Sequence, residues 1–409
     1  MAVGLTTNLR HNTWNLGQLY DQNVSGDSNV IDYSGAHTMW AWGYGNDNYH
    51  MYPGTVTSYS SPVQTPGNNW KLLARCYSYA NYNYLAKKTD GTLWAWGVNG
   101  ASLGQGRNSP SGWKPDSAED IPAGYGNTWS DALVVGGNYR MMGVKSTGGL
   151  FTWASYNTYG ELGQNNLTAY SSPTQIGSGT DWTTNRRGLS MGENKVLATK
   201  TDGTLWAWGE GGSGVLAQNN QTQYSSPVQI PGTTWSKVCI GNDSSAAVKT
   251  DGTLWVWGNN QQGELGLNAP QTSRISSPVQ IPGTTWRAVD VSQKYMMATK
   301  TDNTLWAWGH NEHGVLGLNQ AHDASISSPV QIPGTTWSEE VACTQETAAA
   351  IKTDGSIWTW GRNLYGQLGQ NSRTLYSSPV QVGSLTNWKY VSTYGYHSGL
   401  AMIWATTNT

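Results

Sequence analysis

Short runs of alternating apolar and polar residues recur along most of the chain, separated by glycine, proline and asparagine. In one stretch, TTWSKVCIG (233–241) is followed by SAAVKT (245–250), by Asp251-Gly252 and by TLWVWG (253–258). Alternation with a period of two predicts β-strands, because successive side chains of a strand point to opposite faces. Asp-Gly between two such runs is typical of a two-residue type I′ hairpin, in which both turn residues take positive φ. The run SSPVQIPG predicts a fourth strand at a sheet edge, where proline is tolerated.

These four predicted strands form one unit of a repeat. An isolated Trp opens each set of strands, and the first aromatic residue of a W-x-W element, or of its FTW variant, follows in step at intervals of 49 to 57 residues. Four strands per unit, seven units and no helical period predict an all-β fold, a seven-bladed β-propeller of four-stranded blades. The marker aromatic residues are Trp40, Trp94, Phe151, Trp206, Trp255, Trp306 and Trp358.

The two ends of the repeat are each incomplete. The last unit has an opening strand at Trp388 and the run HSGLAMIW (397–404), whereas the first unit begins at MWAWG (39–43). We expect the last blade to be closed by the N- and C-terminal strands, because this pairing removes a free sheet edge. Residues 1–34 lie outside the repeat and are predicted to form a short N-terminal arm, followed by the propeller over residues 35–409.

The paired tryptophans of W-x-W stand at positions i and i+2, so they share one face of a strand. Because the pair recurs in almost every unit, we interpret it as core packing between blades rather than as a platform for stacking sugars. The residues assigned this structural role are Trp40, Trp42, Trp94, Trp96, Trp206, Trp208, Trp255, Trp257, Trp306, Trp308, Trp358 and Trp360.

Composition narrows the function. The chain has 23 Trp and 22 Tyr but one Phe, and 12% of its residues are charged, with a net charge of −2. Without a cluster of Lys and Arg to neutralise phosphates, we expect no nucleic-acid partner. No apolar run is long enough to span a bilayer or to act as a signal peptide, so we expect no membrane partner and no secretion signal. The three cysteines are far apart, which predicts free thiols.

No catalytic motif is present: the sequence lacks GxSxG, a P-loop and HExxH, so we predict a protein without enzymatic activity or cofactor. His310, His313 and His322 with Asp323 suggest a metal cluster. The matching positions of other units hold other residue types, so we interpret these residues as a polar surface loop.

The arm contains a calcium-loop spacing, with Asp21, Asn23, Ser25, Asp27 and Asp32 at its ligand positions. The final ligand is Asp instead of the bidentate Glu, and no helical pattern flanks the segment. We therefore expect no metal here and interpret the segment as a docking arm. Its candidate docking residues are Trp14, Leu16, Leu19 and Tyr20.

The units differ most between WG and SSP. These loops are rich in Asn, Gln, Tyr and Gly, a composition that suits contacts with proteins or sugars. A Tyr precedes SSP in four units and an Ile in two, which indicates a packing role for that position. We expect function to lie in the varied loops and the arm. The four tyrosines are Tyr59, Tyr170, Tyr224 and Tyr376.

The consensus W-x-x-V-x-x-G, A-x-K-T-D-G-T-L-W-x-W-G-x-N-x-x-G-x-L-G-x-N and S-S-P-V-Q-I resembles the repeat of the regulator of chromosome condensation family. It is clearest at 257–268 and 360–371, and the resemblance covers residues 35–409. Members of that family form seven-bladed propellers. The Trp-rich form, with TKTDGTLWAWG and SSPVQIPGTTW, is similar to propeller proteins of tailed bacteriophages, especially those of marine cyanobacteria. The segment WNLGQLYDQNVSG (14–26) is similar to the start of those proteins.

This resemblance implies a non-enzymatic virion structural protein, made in the host cytoplasm and incorporated into the particle. It would bind capsid, neck or tail proteins and form homo-oligomers through virion symmetry. Two alternatives stay open: a lectin-like or receptor-binding module that holds cell-surface glycans on a propeller face, and an inhibitor propeller that binds a host enzyme.

Overall fold

The computed structural model describes 29 strands and the connections between many of them. The predicted arm lies outside the described residues, and so do its candidate calcium and docking residues. The described residues are 37–44, 58–65, 67, 69–76, 83–97, 119–121, 128–137, 139–269, 274–320, 323–394 and 402–407.

The strands follow the predicted alternating runs. The first group comprises β1 (Thr38–Gly43), β2 (Tyr59–Gln64), β3 (Trp70–Leu73), β4 (Arg75–Cys76), β5 (Asn83–Lys88), β6 (Leu93–Gly97) and β7 (Glu119–Asp120). The second comprises β8 (Trp129–Gly136), β9 (Arg140–Lys145), β10 (Leu150–Ala154), β11 (Thr174–Gln175), β12 (Leu189–Met191), β13 (Lys195–Thr199), β14 (Leu205–Gly209) and β15 (Tyr224–Ile230). The third comprises β16 (Trp235–Ile240), β17 (Ser244–Lys249), β18 (Leu254–Gly258), β19 (Ile275–Ile281), β20 (Trp286–Val291), β21 (Tyr295–Lys300), β22 (Leu305–His310) and β23 (Ser325–Ile332). The last comprises β24 (Trp337–Cys343), β25 (Thr347–Lys352), β26 (Ile357–Gly361), β27 (Tyr376–Gln381), β28 (Trp388–Tyr394) and β29 (Met402–Thr407).

Six sheets are four-stranded antiparallel blades. Five of them follow chain order across the sheet: β3-β5-β6-β7, β12-β13-β14-β15, β16-β17-β18-β19, β20-β21-β22-β23 and β24-β25-β26-β27. The sixth, the terminal blade, has the order β2-β1-β29-β28. In it β1 pairs with β29, with Trp40 opposite Ala405. As the two incomplete units predict, strands from both chain ends share one blade.

The sheet that contains the Phe151 unit differs from these blades. Its order is β11-β10-β9-β8-β4, and β4 pairs in parallel with β8, with Arg75 opposite Val134. β4 comes from the preceding unit, since only Ala74 separates it from β3. The prediction of seven four-stranded blades is therefore wrong: six blades have four strands, and this mixed sheet has five. The sequence hides the switch because 70–76, WKLLARC, contains no Gly, Pro, Asn or Asp that would mark a break between two strands.

The hairpin turns also differ from the prediction. In the turn at Asp251-Gly252, Gly252 N donates to Lys249 O (3.0 Å) and Lys249 N to Thr253 O (2.9 Å). Gly252 has a φ of 78°, whereas Asp251 is not in the positive-φ region. The predicted type I′ turn is therefore wrong, and the loop is a type I turn followed by a left-handed residue that forms a bulge. The Asp251 carboxylate holds this geometry by accepting Thr253 N at 2.9 Å.

Strand direction sorts the connections onto two faces. We call the face with the turn between the second and third strands of each blade the hairpin face. The opposite face, with the first-to-second and third-to-fourth connections, is the loop face. The opening strands β12, β16, β20, β24 and β28 contact one another in sequence, so they surround a central channel. The SSPVQ strands lie at the outer edge, as predicted.

Candidate functional site

The repeated side chains of KTDGTLWxW form one connected unit on the hairpin face. Lys249 Nζ lies 4.5 Å from the ring centroid of Trp235 and 4.8 Å from that of Trp255. The Thr253 hydroxyl donates to Asp251 Oδ1 (2.7 Å) and accepts from Trp255 Nε1 (2.9 Å). Hydrogen bonds from Thr253, first from its backbone N–H and then from its hydroxyl, lower the pKa of the Asp251 carboxyl. Such cation–π and hydrogen-bond contacts brace the turn. The same lysine position is stacked on tryptophan at Lys88, Lys200, Lys300 and Lys352.

In five of the six pairs, the second Trp bonds to the neighbouring blade. Trp257 Nε1 donates to Val215 O (2.7 Å), and Trp308 Nε1 donates to Glu264 O (2.9 Å). The second glycine of G-x-L-G packs on this indole, so that a Cβ on Gly266 would lie 2.7 Å from Trp308 Nε1. That distance is too short for a carbon, which explains the glycine. Equivalent bonds join Trp42 to Gln367, Trp208 to Glu161 and Trp360 to Val315.

The first glycine of G-x-L-G also packs against the neighbouring blade. A Cβ on Gly263 would lie 3.0 Å from Ser327 Cα on the outer strand of the next blade, and Asn268 N donates to Ser327 O (2.6 Å). Asn371 N makes the same bond to Ser60 O (2.6 Å), which joins the last repeat to the terminal blade. The shared motif therefore assembles the ring and leaves specificity to other residues.

The amide side chains of the varied loops mostly bond within their own loop. Asn363 Oδ1 accepts from Leu368 N (3.0 Å), and its Nδ2 donates to Thr374 O (2.8 Å). Asn166 Nδ2 donates to the Tyr170 hydroxyl (3.1 Å), which gives this tyrosine a loop-bracing role. The same bond joins Asn220 to Tyr224 (3.0 Å). In the described loops, amides used in this way brace their own loop.

The loop face nevertheless exposes apolar side chains. Four large hydrophobic side chains are exposed among the described residues, and three of them lie in third-to-fourth strand connections: Tyr156 (51%), Leu167 (56%) and Leu364 (50%). Tyrosine pairs accompany them, with ring centroids 4.4 Å apart for Tyr44 and Tyr365, and 6.3 Å apart for Tyr139 and Tyr156. We call Tyr44, Tyr139, Tyr156, Leu167, Leu364 and Tyr365 the loop-face set.

The loop-face set occupies positions that the repeat does not share. Asn157 and Asn363 are equivalent, because each side chain accepts a hydrogen bond from the backbone N–H five residues later. The segment from Trp153 to Asn157 is nevertheless one residue longer than the segment from Trp360 to Asn363. Tyr156 lies in this extra length. Leu364 and Leu167 stand where other units carry polar residues, such as Gln261 and Glu312, or Gln221 and Arg373.

Part of the suspected histidine cluster lies on the same face. The ligand atoms of Glu312, His313 and Glu346 are within 4.8 Å of one another. Lys294 bonds to Glu312 (2.8 Å) and Arg362 bonds to Glu346 (2.6 Å), so cations already neutralise both carboxylates. A metal ion would have to displace them, and the geometry favours a polar surface cluster.

His310 belongs to this cluster, with Nδ1 3.8 Å from a Glu312 carboxylate oxygen. Burial, with repulsion from Lys294, lowers the pKa of His310 and favours the neutral ring at physiological pH. Asp323 N donates to Asn311 O (3.2 Å), and His322 lies outside the described residues.

The innermost strands carry charges that sequence reasoning missed. Arg75 Nη2 lies 2.7 Å from Asp290 Oδ1, and Arg186 Nη1 lies 2.6 Å from Glu340 Oε2. Arg187 also bonds Glu340 (3.4 Å). The available signal was a charged residue three to five positions after four of the opening Trp residues: Arg75, Arg186, Arg187, Asp290 and Glu340.

The ion pairs Arg75–Asp290 and Arg186–Glu340, which we call the channel pairs, are buried, so each charge depends on its partner. Burial alone would raise the pKa of Glu340, but Arg186 and Arg187 together outweigh it and hold the pKa below its usual value. Burial lowers the pKa of Arg186 against the attraction of Glu340, and repulsion from Arg187 and Arg75 adds to the shift. Cys239 and Cys343, which flank this region, are buried free thiols, as predicted.

Comparison with known proteins assigns the family. Residues 38–400 match the model of the RCC1-like domain. The chain belongs to the RCC1-like domain family. This confirms the resemblance to the regulator of chromosome condensation repeat.

The RCC1-like relatives are mostly longer proteins. The chain is 25% identical to human E3 ubiquitin-protein ligase HERC2 over 74% of its own length but only 6% of that protein. It is 26% identical to Ultraviolet-B receptor UVR8 of Arabidopsis thaliana, over 56% of this chain and 52% of that protein. The chain therefore spans about half or less of these relatives.

Solved structures of other proteins have the same fold. Human WBSCR16 matches with a TM-score of 0.75 at 18% identity, covering 91% of this chain and 99% of that one. Prp20p of Saccharomyces cerevisiae matches with a TM-score of 0.75 at 15% identity, covering 92% of each chain. Across the described part of this RCC1-like chain, no helix is long and apolar enough to cross a membrane.

Proposed function

We propose that the chain is a non-enzymatic protein-binding propeller that docks its partner on the loop face. The observation that carries this proposal is the concentration of exposed apolar side chains in the loop-face set. Tyr156, Leu167 and Leu364 are each about half exposed or more. They stand at positions that the repeat does not share, so packing of the ring does not require them. Aromatic and leucine side chains placed in this way are typical anchors of protein interfaces.

The class of partner has further support. The loop amides are occupied within their own loops, which favours an apolar protein contact over a glycan. Prp20p, which has the same fold, binds protein partners, Gsp1p and histones.

In its finer form, the proposal assigns the partner to a capsid, neck or tail protein of a phage particle. The Trp-rich repeat and its similarity to phage propellers support this assignment. Mass spectrometry of purified particles tests it directly: we expect the chain to copurify with them in a fixed ratio to the major capsid protein. Its loss on repeated density-gradient purification would contradict the assignment.

The docking surface is tested by a variant that leaves the core untouched. We expect Tyr156→Ser, Leu167→Ser and Leu364→Ser together to reduce incorporation into particles by about tenfold or more, since truncating each interface anchor costs about 1 kcal/mol or more. The melting temperature should stay unchanged, because these side chains are exposed. Val279→Ser is the matched control, since Val279 is 38% exposed but lies on the outer strand β19. Equal incorporation of the triple variant and the control would exclude the loop-face set.

A further inference from the structure

A cleft of about 340 Å³ opens on the hairpin face, at the seam between the β24–β27 blade and the terminal blade. One wall is the first part of β24 with the hairpin after β25, and the other wall is the start of β28. Buried Ile351 and Trp388 form the apolar part of the lining, and Lys352 and Lys389 are its lysines. The cleft lies on the face opposite the loop-face set.

The preceding seam of the ring shows why this one is open. There, Arg287 Nη1 donates to Asn303 Oδ1 (2.8 Å) in its own blade, and Arg287 Nη2 donates to Trp337 O (2.8 Å) in the next blade. The repeat places Ser338 at the position of Arg287, and Gly355 at the position of Asn303. Both side chains that close the preceding seam are therefore missing from the cleft.

The backbone of β24 adds to this difference. Trp337 pairs with Lys352 and Val341 pairs with Ala350, so four steps along β24 match two along β25. In the bulge of β20, two steps match one. A bulge bends its strand, and here residues 338–340 line the cleft. Side chains and backbone both set this seam apart from the preceding one.

The carboxylates that line the cleft already have cationic partners. Glu340 pairs with Arg186, and Glu339 pairs with Lys237. Burial alone would raise the pKa of Glu339, but Lys237 and Arg187 outweigh it and hold the pKa below its usual value. Both carboxylates are therefore poorly suited to attract a further cation into the cleft.

Hydrogen-bond donors of the cleft are still available. Lys389 is exposed and forms no ion pair among the described residues, and its Nζ lies 5.8 Å from the ring centroid of Tyr390. Asn387 and Thr353 are also exposed, and within the described part of the chain their side chains make no hydrogen bond. A carboxylate would accept hydrogen bonds from these groups and be attracted by Lys389 and Lys352, whereas a guanidinium group would be repelled.

We propose that the cleft binds a carboxylate side chain of an acidic, Asp- or Glu-rich segment of a partner protein. Lys389 supplies the main positive charge, and Asn387 and Thr353 supply hydrogen bonds. The site does not depend on docking at the loop face, because the two sites lie on opposite faces of the ring. One propeller could therefore hold two partners at once.

The test titrates the full chain into a fluorescein-labelled hexa-aspartate peptide and follows fluorescence anisotropy. The chain has a net charge of −2, so overall attraction does not favour this peptide. We expect hexa-aspartate to bind and hexa-asparagine not to bind. Lys389→Ser should weaken binding by about tenfold or more, because a charge-assisted hydrogen bond is lost. Lys71→Ser is the matched control and should keep wild-type affinity: Lys71 also follows an opening Trp, and its side chain is 42% exposed.

Ser338→Arg separates binding in the cleft from attraction by surface charge. The new side chain copies Arg287 and should close the seam by bonding across to Trp388 O. We expect hexa-aspartate binding to be lost, although the variant gains a positive charge. Tighter binding would show that surface charge alone holds the peptide, and the proposal would be overturned.

A second measurement uses the unaltered protein. A carbodiimide joins a bound carboxylate to a neighbouring lysine amine as an amide, and mass spectrometry locates the linked residue. We expect the main crosslink to hexa-aspartate at Lys389. The absence of binding, or crosslinks spread equally over Lys71 and Lys389, would overturn the proposal. Binding of hexa-arginine that Ser338→Arg abolishes would also overturn it, because the cleft would then accept a cation.

Discussion

At the scale of single residues, most repeated positions are explained by contacts that hold the ring together. Trp308 donates its indole N–H to Glu264 O in the neighbouring blade and lies directly against Gly266. Lys249 and Asp251 brace their own hairpin. Repetition along the chain therefore identifies structural residues, and the aromatic pairs that dominate the sequence are part of the framework.

The glycine contacts make this account testable. We expect Gly266→Ala to lower the free energy of unfolding by about 3 kcal/mol, because the new methyl group would overlap the Trp308 indole in a packed seam. Gly177→Ala is the matched control: its φ is 57°, close to the 66° of Gly266, but nothing lies within 4 Å of its Cβ position. It should cost about 1 kcal/mol. Equal losses in denaturant titrations would show that backbone strain, and not the seam, requires glycine at 266.

At the scale of elements, the channel couples parts of the ring that are far apart in sequence. Glu340 on β24 accepts hydrogen bonds from the 3₁₀ turn Arg186–Gly188, 154 residues away. Arg75 on β4 reaches Asp290 on β20, 215 residues away. These pairs fix the innermost strands relative to one another.

The carboxyl of Glu340 gives this coupling a pH dependence. Its pKa in the folded protein is lowered below the ordinary value of 4.5. Its contribution to stability is therefore fully present above pH 4.5 and is lost as the pH falls through the lower folded pKa. We expect Glu340→Gln to destabilise the protein by about 3 to 5 kcal/mol at neutral pH, because two buried arginines lose their partner. The difference from wild type should shrink below pH 4.5. A difference that is constant from pH 7 to pH 3, measured by urea unfolding, would contradict this role.

At the scale of the whole molecule, the repeat predicts much of the architecture. Alternation and spacing predicted the strand positions, and the two incomplete units predicted the pairing of β1 with β29. Such features are local or periodic, so the sequence shows them directly. This is also why the W-x-W motif could be interpreted as structural before any contact was known.

Other features depend on contacts that no periodicity reveals. The switch of the chain from β3 to β4 after Leu73 depends on which sheet edge is free, and so the five-stranded sheet was missed. The turn type depends on the hydrogen bonds from Thr253 to Asp251. The channel pairs join positions more than 150 residues apart, without a shared motif. For the loop-face set, the sequence predicted only that function lies in the varied loops and did not identify the individual residues.

We propose that the ring is a framework and that its loop face binds the partner protein. The decisive measurement is hydrogen–deuterium exchange on the chain with and without the partner protein, for which we propose a component of the phage particle. We expect slower exchange in residues 155–173 and 362–375, which contain Tyr156, Leu167 and Leu364, and unchanged exchange in the hairpins at 88–92, 249–253 and 300–304. Protection confined to those hairpins, with none in the two loops, would contradict the account.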